Sequence, residues 1–225
     1  MRSALSLATA LAIAGCRPGE SPHTPANGAE AGAPEPAPGA GLRGVLVGSP
    51  APKPDFSLTT MEGERFDFRR DTEGYLTLLF FGYTNCPDVC PVHMANIGRV
   101  LKGLRIEVAR RVRVVFVTTD PERDTPERLR TWLANFHPDF IGLSGTEDEL
   151  REAQLAVGMP PAGRSVPDST RPATYYVSHG AQVFAFTTDN LAHVVYPFGI
   201  RQQDWANDIP MLVAGWPSPT RPAGR

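Results

Sequence analysis

The chain has 225 residues, of which 41% are hydrophobic, so it is long enough to bury one sizeable core. Its 22 basic and 24 acidic residues give a formal net charge of −2, which leaves no electrostatic case for nucleic acid as a partner. The three cysteines are Cys16, Cys86 and Cys90, and an odd number means that one of them needs a separate explanation.

The first fifteen residues are typical of a secretory signal peptide. Arg2 supplies the positive charge at the start, and residues 4–14 are small, apolar or hydroxyl-bearing, in a run too short to span a bilayer. Ile13-Ala14-Gly15-Cys16 resembles the bacterial lipobox, although an ordinary signal peptide could contain a cysteine by chance. We predict a lipoprotein signal over residues 1–15, a lipidated Cys16, and a mature chain anchored to a membrane outside the cytoplasm, where disulfides can form.

A change in composition separates this signal from the folded part of the chain. Residues 16–47 are rich in Pro, Gly, Ala and Glu and have little that can be buried, which predicts a disordered tether. We expect the folded domain over residues 48–216 and a flexible tail over 217–225.

Local patterns predict the elements of this domain in chain order. Residues 55–68 form a β-hairpin around Met61-Glu62-Gly63, and the almost continuously apolar run 75–83 fits a central strand. The helix that follows carries an apolar stripe at helical spacing: Met94, Ile97, Leu101 and Leu104. Strands at 112–118 and 140–143 alternate with two helices. These helices begin directly after Thr125 and Thr146, which are both good N-cap residues.

The last third of the chain begins with a long loop over residues 157–174, and loops of that length tend to be functional. A hairpin formed by 181–187 and 191–198 and a final helix over 202–214 complete the domain. This order predicts one α/β domain with a central mixed β-sheet flanked by helices on both faces and an N-terminal β-hairpin.

Cys86 and Cys90 lie where the central strand gives way to a helix. Pro91 suits the first turn of that helix, and unpaired N–H groups at a helix start favour thiolate over thiol. A spacing of four residues allows the two sulfurs either to form a disulfide or to share a metal ion. The three-residue loop is looser than the two-residue loop of thioredoxin-type motifs, which favours the metal, and both possibilities stay open.

Two thiolates with one imidazole suit copper, and zinc accepts the same ligands, although a structural zinc site normally has four. His179 is the main candidate imidazole because it precedes the strand predicted at 181–187, and in a thioredoxin-like topology the chain before that strand passes next to the cysteines.

The other polar candidates are given different roles. His93 is expected on the helix surface, solvated or hydrogen-bonded. His137 is expected to stabilise a helix end as a cation, and His193 to be structural. Asp120 is expected to line the site without being a ligand.

These motifs together resemble the Sco/SenC family of thioredoxin-fold copper proteins. The matching segments are 80–91 (FFGYTNCPDVCP), 117–125 (VTTDPERDT) and 176–179 (YVSH), with a weaker match at Pro197-Phe198-Gly199 and Asp204-Trp205. The likeness covers about residues 45–215. Two positions depart from the family: Ser178 replaces an acidic residue before the histidine, and 187–190 replaces a glycine-containing turn.

The resemblance implies a thioredoxin-like fold and copper, as Cu(I) or Cu(II), bound by Cys86, Cys90 and His179. It also implies that the two cysteines cycle between dithiol and disulfide. The implied role is metallochaperone rather than enzyme, acting in assembly of the dinuclear copper centre of cytochrome c oxidase. Partners would be the copper-bearing subunit of a terminal oxidase and thiol reductants. One alternative is a thiol–disulfide oxidoreductase that reduces an apo-copper protein without needing His179, and a more distant one is a peroxide reductase.

Overall fold

The computed structural model describes residues 39–165 and 175–216. The predicted signal peptide, Cys16, most of the predicted tether and the predicted tail lie outside these residues. In the part of the chain that is described, no helix is long and apolar enough to cross a membrane.

A mixed sheet of eight strands forms the middle layer. Its strands are β1 (Val45–Pro52), β2 (Ser57–Thr60), β3 (Arg65–Asp67), β4 (Leu76–Gly82), β5 (Val112–Thr118), β6 (Ile141–Ser144), β9 (Val183–Phe186) and β10 (Leu191–Tyr196), and a separate ribbon contains β7 (Gly163–Arg164) and β8 (Val177–Ser178). The order across the sheet is β1-β10-β9-β4-β5-β6-β2-β3. Strands β4, β5 and β6 are parallel, and the other pairs are antiparallel.

Helices cover both faces of this sheet, so its central strands are buried on both sides. The helices are α1 (Phe68–Asp71), α2 (Val89–Gly103), α3 (Ile106–Ala109), α4 (Pro126–Ala134), α5 (Glu147–Ala156) and α6 (Gln202–Ala214). Leu78 and Phe80 of β4 face a core shared with α2, α4 and α6, whereas Leu79 and Phe81 face a second core shared with α1 and α5. The expected α/β architecture is confirmed.

Local signals placed most elements correctly. At the start of α4 the Arg128 N–H donates to the side chain of Thr125. At the start of α5, Thr146 and Glu149 form a capping box. The predicted hairpins are the pairs β2–β3 and β9–β10. The predicted long loop contains β7, which pairs with β8, and its residues 166–174 lie outside the described part of the chain.

Strand β1 begins at Val45, three residues before the boundary expected for the folded domain. It pairs with β10, and the segment before it is bonded to α6, where the buried Asp208 carboxylate accepts the N–H groups of Arg43 and Gly44. Asp208 also accepts the hydroxyl of Tyr196 at 2.8 Å. The Gly- and Pro-rich sequence of β1 has no strand-like alternation, so only its long-range partners reveal it.

The direction of the strands brings three separate segments to one edge of the sheet. Parallel strands β4 and β5 end together, with Gly82 opposite Thr118. Strand β9 runs antiparallel to β4, so the chain just before Val183 lies at the same edge. We call this the site edge, because the loops after β4 and β5 and the segment before β9 meet there.

Candidate metal centre

The structure brings Cys86, Cys90 and His179 together at the site edge. One ligand atom from each residue lies within 4.8 Å of the other two, and Cys90 Sγ is 3.5 Å from His179 Nε2. Both cysteines are free thiols. Among residues 39–165 and 175–216, this is the one group of three or more His, Cys, Asp or Glu residues with such geometry.

Cys90 is fully buried in the first turn of α2, where it packs against the end of β4. A Cβ atom at Gly82 would lie 2.8 Å from Cys90 Sγ and 2.7 Å from Phe80 Cε1. Contacts that short are repulsive, so the absence of a side chain at residue 82 is what allows the helix and its sulfur to approach the strand.

Cys86 lies half-buried in the loop that leads into α2. Its Sγ accepts the N–H of Cys90 at 3.5 Å, while Asp88, the N-cap residue of α2, makes no capping bond with its side chain. The sulfur therefore satisfies one of the free N–H groups at the helix start, where the helix dipole favours a negative charge.

The two thiols have opposite electrostatic environments. The Cys90 S–H group donates to Cys86 and lowers the pKa of Cys86 to about 3, with burial opposing the shift and the Cys90 N–H supporting it. Burial raises the pKa of Cys90, and the negative charge on Cys86 raises it further. The site thus presents one accessible thiolate in contact with one buried thiol.

His179 is oriented by hydrogen bonding and by aromatic contacts. Its Nδ1–H donates to the carbonyl of Gly180 at 2.8 Å, which leaves the lone pair of Nε2 facing the sulfurs in the neutral ring. Phe80 and Tyr83 contact the imidazole in near-perpendicular geometry, with ring centroids at 5.8 and 5.6 Å. The imidazole is therefore preorganised as a ligand.

The segment that carries His179 is held by a side-chain clasp, consisting of Asp120, Arg123 and Tyr175. The Tyr175 hydroxyl donates to Asp120 at 2.6 Å, Arg123 forms an ion pair with Asp120, and the Arg123 guanidinium lies 3.6 Å from the centroid of the Tyr175 ring. Arg123 also donates to the Tyr175 carbonyl at 3.1 Å. Asp120 does not belong to the ligand group, and its carboxylate contacts Arg123 and Tyr175.

A second buried network holds the loop before Cys86. The Asp124 carboxylate accepts the N–H of Thr84 at 3.0 Å, the Thr84 hydroxyl at 2.5 Å and the Thr118 hydroxyl at 2.7 Å. Burial raises the pKa of Asp124, and these bonds oppose the shift. The sequence showed only turn and capping chemistry here, because nothing local indicates that residue 124 reaches residue 84.

The other histidines lie outside the ligand group. His93 is buried rather than solvated, and its Nε2–H donates to the carbonyl of Ala181 at 3.0 Å, so the hydrogen-bonded alternative was correct. His193 is structural, bonded to Asp189 at 2.7 Å. Burial lowers the pKa of His137, and its Nδ1 accepts the N–H of Asp139, so the cation expected at this helix end was wrong.

The donor set decides which metals fit this site. Two sulfurs and an imidazole nitrogen are soft or borderline ligands, which suit copper and exclude the oxygen-preferring cations calcium and magnesium. A structural zinc site normally needs four ligands, and no fourth His, Cys or carboxylate joins the group in the described part of the chain. The residues present therefore fit a three-coordinate copper ion.

A family model described as SCO1/SenC matches residues 48–214. A SCO2-like protein of Rickettsia prowazekii is 38% identical over 111 residues, covering 48% of this chain and 49% of the relative. The mitochondrial SCO2 homolog of Bos taurus is 32% identical over 151 residues, covering 67% and 54%. The chain thus spans about half the length of these curated relatives.

Solved structures share the fold over most of their length. Apo Sco1 of Thermus thermophilus is 32% identical with a TM-score of 0.67, and the match covers 76% of this chain and 96% of that one. ScoI of Bradyrhizobium japonicum, solved with copper bound, is 30% identical with a TM-score of 0.62, covering 74% and 99%. Yeast Sco1, also solved with copper bound, is 26% identical with a TM-score of 0.66, covering 76% and 92%. These matches confirm the predicted thioredoxin-like fold.

The unequal thiols lead to a prediction about their reactivity. Since its pKa is lowered to about 3, Cys86 is a thiolate above that pH, so its alkylation rate should be nearly constant between about pH 5 and pH 8. An ordinary thiol would react about tenfold faster per pH unit over this range. Iodoacetamide labelling followed by peptide mass spectrometry measures both cysteines, in a Cys16→Ala background. Cys90 should stay unlabelled, and Cys86→Ser should remove the signal. A tenfold rise per pH unit at Cys86 would contradict the assignment.

Proposed function

Because the chain belongs to the SCO1/SenC family, we propose that it is a copper chaperone that binds one copper ion through Cys86, Cys90 and His179. The observation that carries this proposal is the position of the His179 imidazole, whose Nε2 lies 3.5 Å from Cys90 Sγ. An imidazole oriented toward two thiols provides a third ligand for a metal, whereas disulfide exchange between the two sulfurs does not require it.

The two thiols contribute to copper binding in different ways. Cys86 is already ionised and half-exposed, so it is the sulfur that an arriving copper ion can bind first. Cys90 is buried and keeps its proton until a metal replaces it, because a bound cation stabilises a thiolate. Copper uptake therefore releases the Cys90 proton, and affinity should weaken as the pH falls.

Delivery is proposed to occur by ligand exchange with a client protein. Copper is the cargo, and the half-exposed Cys86 and His179 are the ligands that a client's own thiols and imidazoles can replace first. The proposed client is the copper-bearing subunit of a terminal oxidase, and the proposed destination is the dinuclear copper centre of cytochrome c oxidase. The family membership supports this client.

A thiol–disulfide oxidoreductase is the second candidate function. It is favoured by the pairing of a low-pKa thiolate at Cys86 with a second thiol at Cys90, the arrangement of an attacking and a resolving cysteine. Such an enzyme would reduce the cysteines of an apo-copper protein. It would use Cys86 and Cys90 but not His179, and this difference separates the two functions.

The location proposed for this function is the outer side of a membrane, with Cys16 as the lipid-modified first residue of the mature chain. The lipobox-like sequence Ile13-Ala14-Gly15-Cys16 supports it. Mass spectrometry of the membrane fraction should find an N-terminal peptide that begins at modified Cys16. Recovery of the intact signal segment, or of wild-type protein in the soluble fraction, would argue against the anchor.

The copper site predicts a specific effect of removing the imidazole. We expect His179→Ala to weaken copper affinity at least about tenfold, since losing even a group that only orients a ligand costs that much. Titration of the reduced protein with Cu(I) and Cu(II), followed by competition with a chelator and by thiolate-to-copper absorption, measures the effect. His137→Ala is the matched control, because His137 lies outside the ligand group, and it should behave as wild type. Unchanged stoichiometry and absorption in His179→Ala would remove His179 from the site.

Transfer to the client separates the chaperone from the oxidoreductase. Copper-loaded protein mixed with the reduced apo-subunit should generate the absorption of the dinuclear centre. Both Cys86→Ser and His179→Ala should fail in this assay and in oxidase assembly in cells. If His179→Ala supports assembly as well as wild type does, while Cys86→Ser does not, the oxidoreductase function replaces the chaperone function.

A further inference from the structure

One short segment of the chain concentrates positive charge. Residues 99–113, which join α2 to β5 through α3, contain six of the 22 basic residues and one of the 24 acidic residues. We call these six side chains the basic pole: Arg99, Lys102, Arg105, Arg110, Arg111 and Arg113. All are exposed except Arg113, which is half-buried. The chain as a whole is slightly acidic, so this surface differs in sign from the rest of the molecule.

A cavity of about 230 Å³ opens among these side chains. Lys102, Arg110 and Arg113 line it together with apolar residues that include Leu101, Leu104 and Phe140. Ile106 also lines the cavity, and 55% of it is exposed, so it places a large apolar side chain directly among the cationic groups. The surface thus combines cationic groups with an apolar floor and an exposed apolar side chain.

The other charged and titratable groups on this surface do not cancel the positive charge. Glu107 lies 3.4 Å from Arg105, but both side chains are mostly exposed, so the pair is weak. Asp139 and the uncharged His137 also line the cavity. Set against six cations, the two carboxylates leave a strongly positive surface.

The basic pole lies at the end of the sheet opposite to the site edge. The N–H of Leu76, at the start of β4, bonds to the carbonyl of Arg111, and the Arg113 guanidinium lies 3.7 Å from the centroid of the Tyr75 ring. From there β4 runs to Gly82, which contacts the thiol site. Seven residues of strand separate the two regions by about 20 Å.

We propose that the basic pole docks the domain onto an anionic phospholipid surface. Lys and Arg side chains near such a surface attract it electrostatically, and an exposed Ile106 among them can enter the headgroup layer. The cavity, with basic groups around an apolar floor, fits a phosphate headgroup and the carbons next to it. The exposed Ile106 among the cations favours a lipid surface over an acidic protein, because an apolar layer lies directly beneath the lipid phosphates. A lipid at Cys16, expected from the sequence, would keep the chain within reach of such a surface.

Docking in this orientation has a consequence for the copper site. The thiols and His179 lie at the opposite end of the sheet, so they face away from the membrane and toward a client domain. The docking does not depend on copper, and its failure would leave the proposed chaperone function intact.

Vesicle binding tests this surface in the full chain carrying Cys16→Ala, so that no lipid is added. The vesicles are phosphatidylcholine alone, or phosphatidylcholine with about one-third phosphatidylglycerol. The pole variant reverses three exposed charges, Lys102→Glu, Arg105→Glu and Arg110→Glu. The matched control makes the same change in net charge elsewhere, with Arg65→Glu, Arg130→Glu and Arg151→Glu. Circular dichroism confirms that each variant is folded.

The background protein and the control should bind the anionic vesicles alike, and the pole variant should bind about tenfold or more weakly. Raising the salt to about 0.5 M should remove the difference, because it screens charges beyond a few ångströms. Ile106→Ser, which changes no charge, should also weaken binding. Equal losses in the pole variant and the control would reduce the effect to net charge and overturn the proposal. Binding to soluble polyglutamate but not to anionic vesicles would assign the pole to an acidic protein instead.

Discussion

The approach of Cys90 to Gly82 is the contact on which the site depends. Strand β4 is buried along its whole length and ends in the one residue type that leaves room for a sulfur beside it. Any side chain at Gly82 would clash with the Cys90 sulfur and with the Phe80 ring. That turn carries Cys90 and provides the N–H group that Cys86 accepts. The end of the central strand therefore sets the positions of both thiols.

From this one contact follows the difference between the thiols. The depth of Cys90 removes it from water and raises its pKa, while its S–H and N–H groups both stabilise the Cys86 thiolate. The observed pair holds one charge at the surface and one proton in the interior, which suits a site that exchanges a proton for a metal ion.

How far the sequence predicted this structure depends on the range of the interactions. Strands β4 and β5 and the caps at Thr125 and Thr146 depend on neighbouring residues, and they were predicted correctly. The position of His179 beside the thiols followed from strand order together with the family resemblance. The contacts that sequence reasoning missed join residues far apart: Asp124 with Thr84, Asp120 with Tyr175, and strand β1 with β10. No local pattern encodes such pairs, because each residue also has an ordinary local role.

The three proposed ligands differ in how firmly the fold holds them. Cys86 and Cys90 belong to one helix start, packed against the central strand. His179 follows the two-residue strand β8, whose segment is held by the short ladder with β7, by the clasp on Tyr175 and by the bond from His93 to the Ala181 carbonyl. Side-chain contacts of this kind open at lower cost than a central β-sheet, since local stability follows the number of buried contacts and backbone bonds. His179 is therefore the ligand that the fold can withdraw most easily, and its withdrawal would leave a two-sulfur copper site open to a ligand of the proposed client.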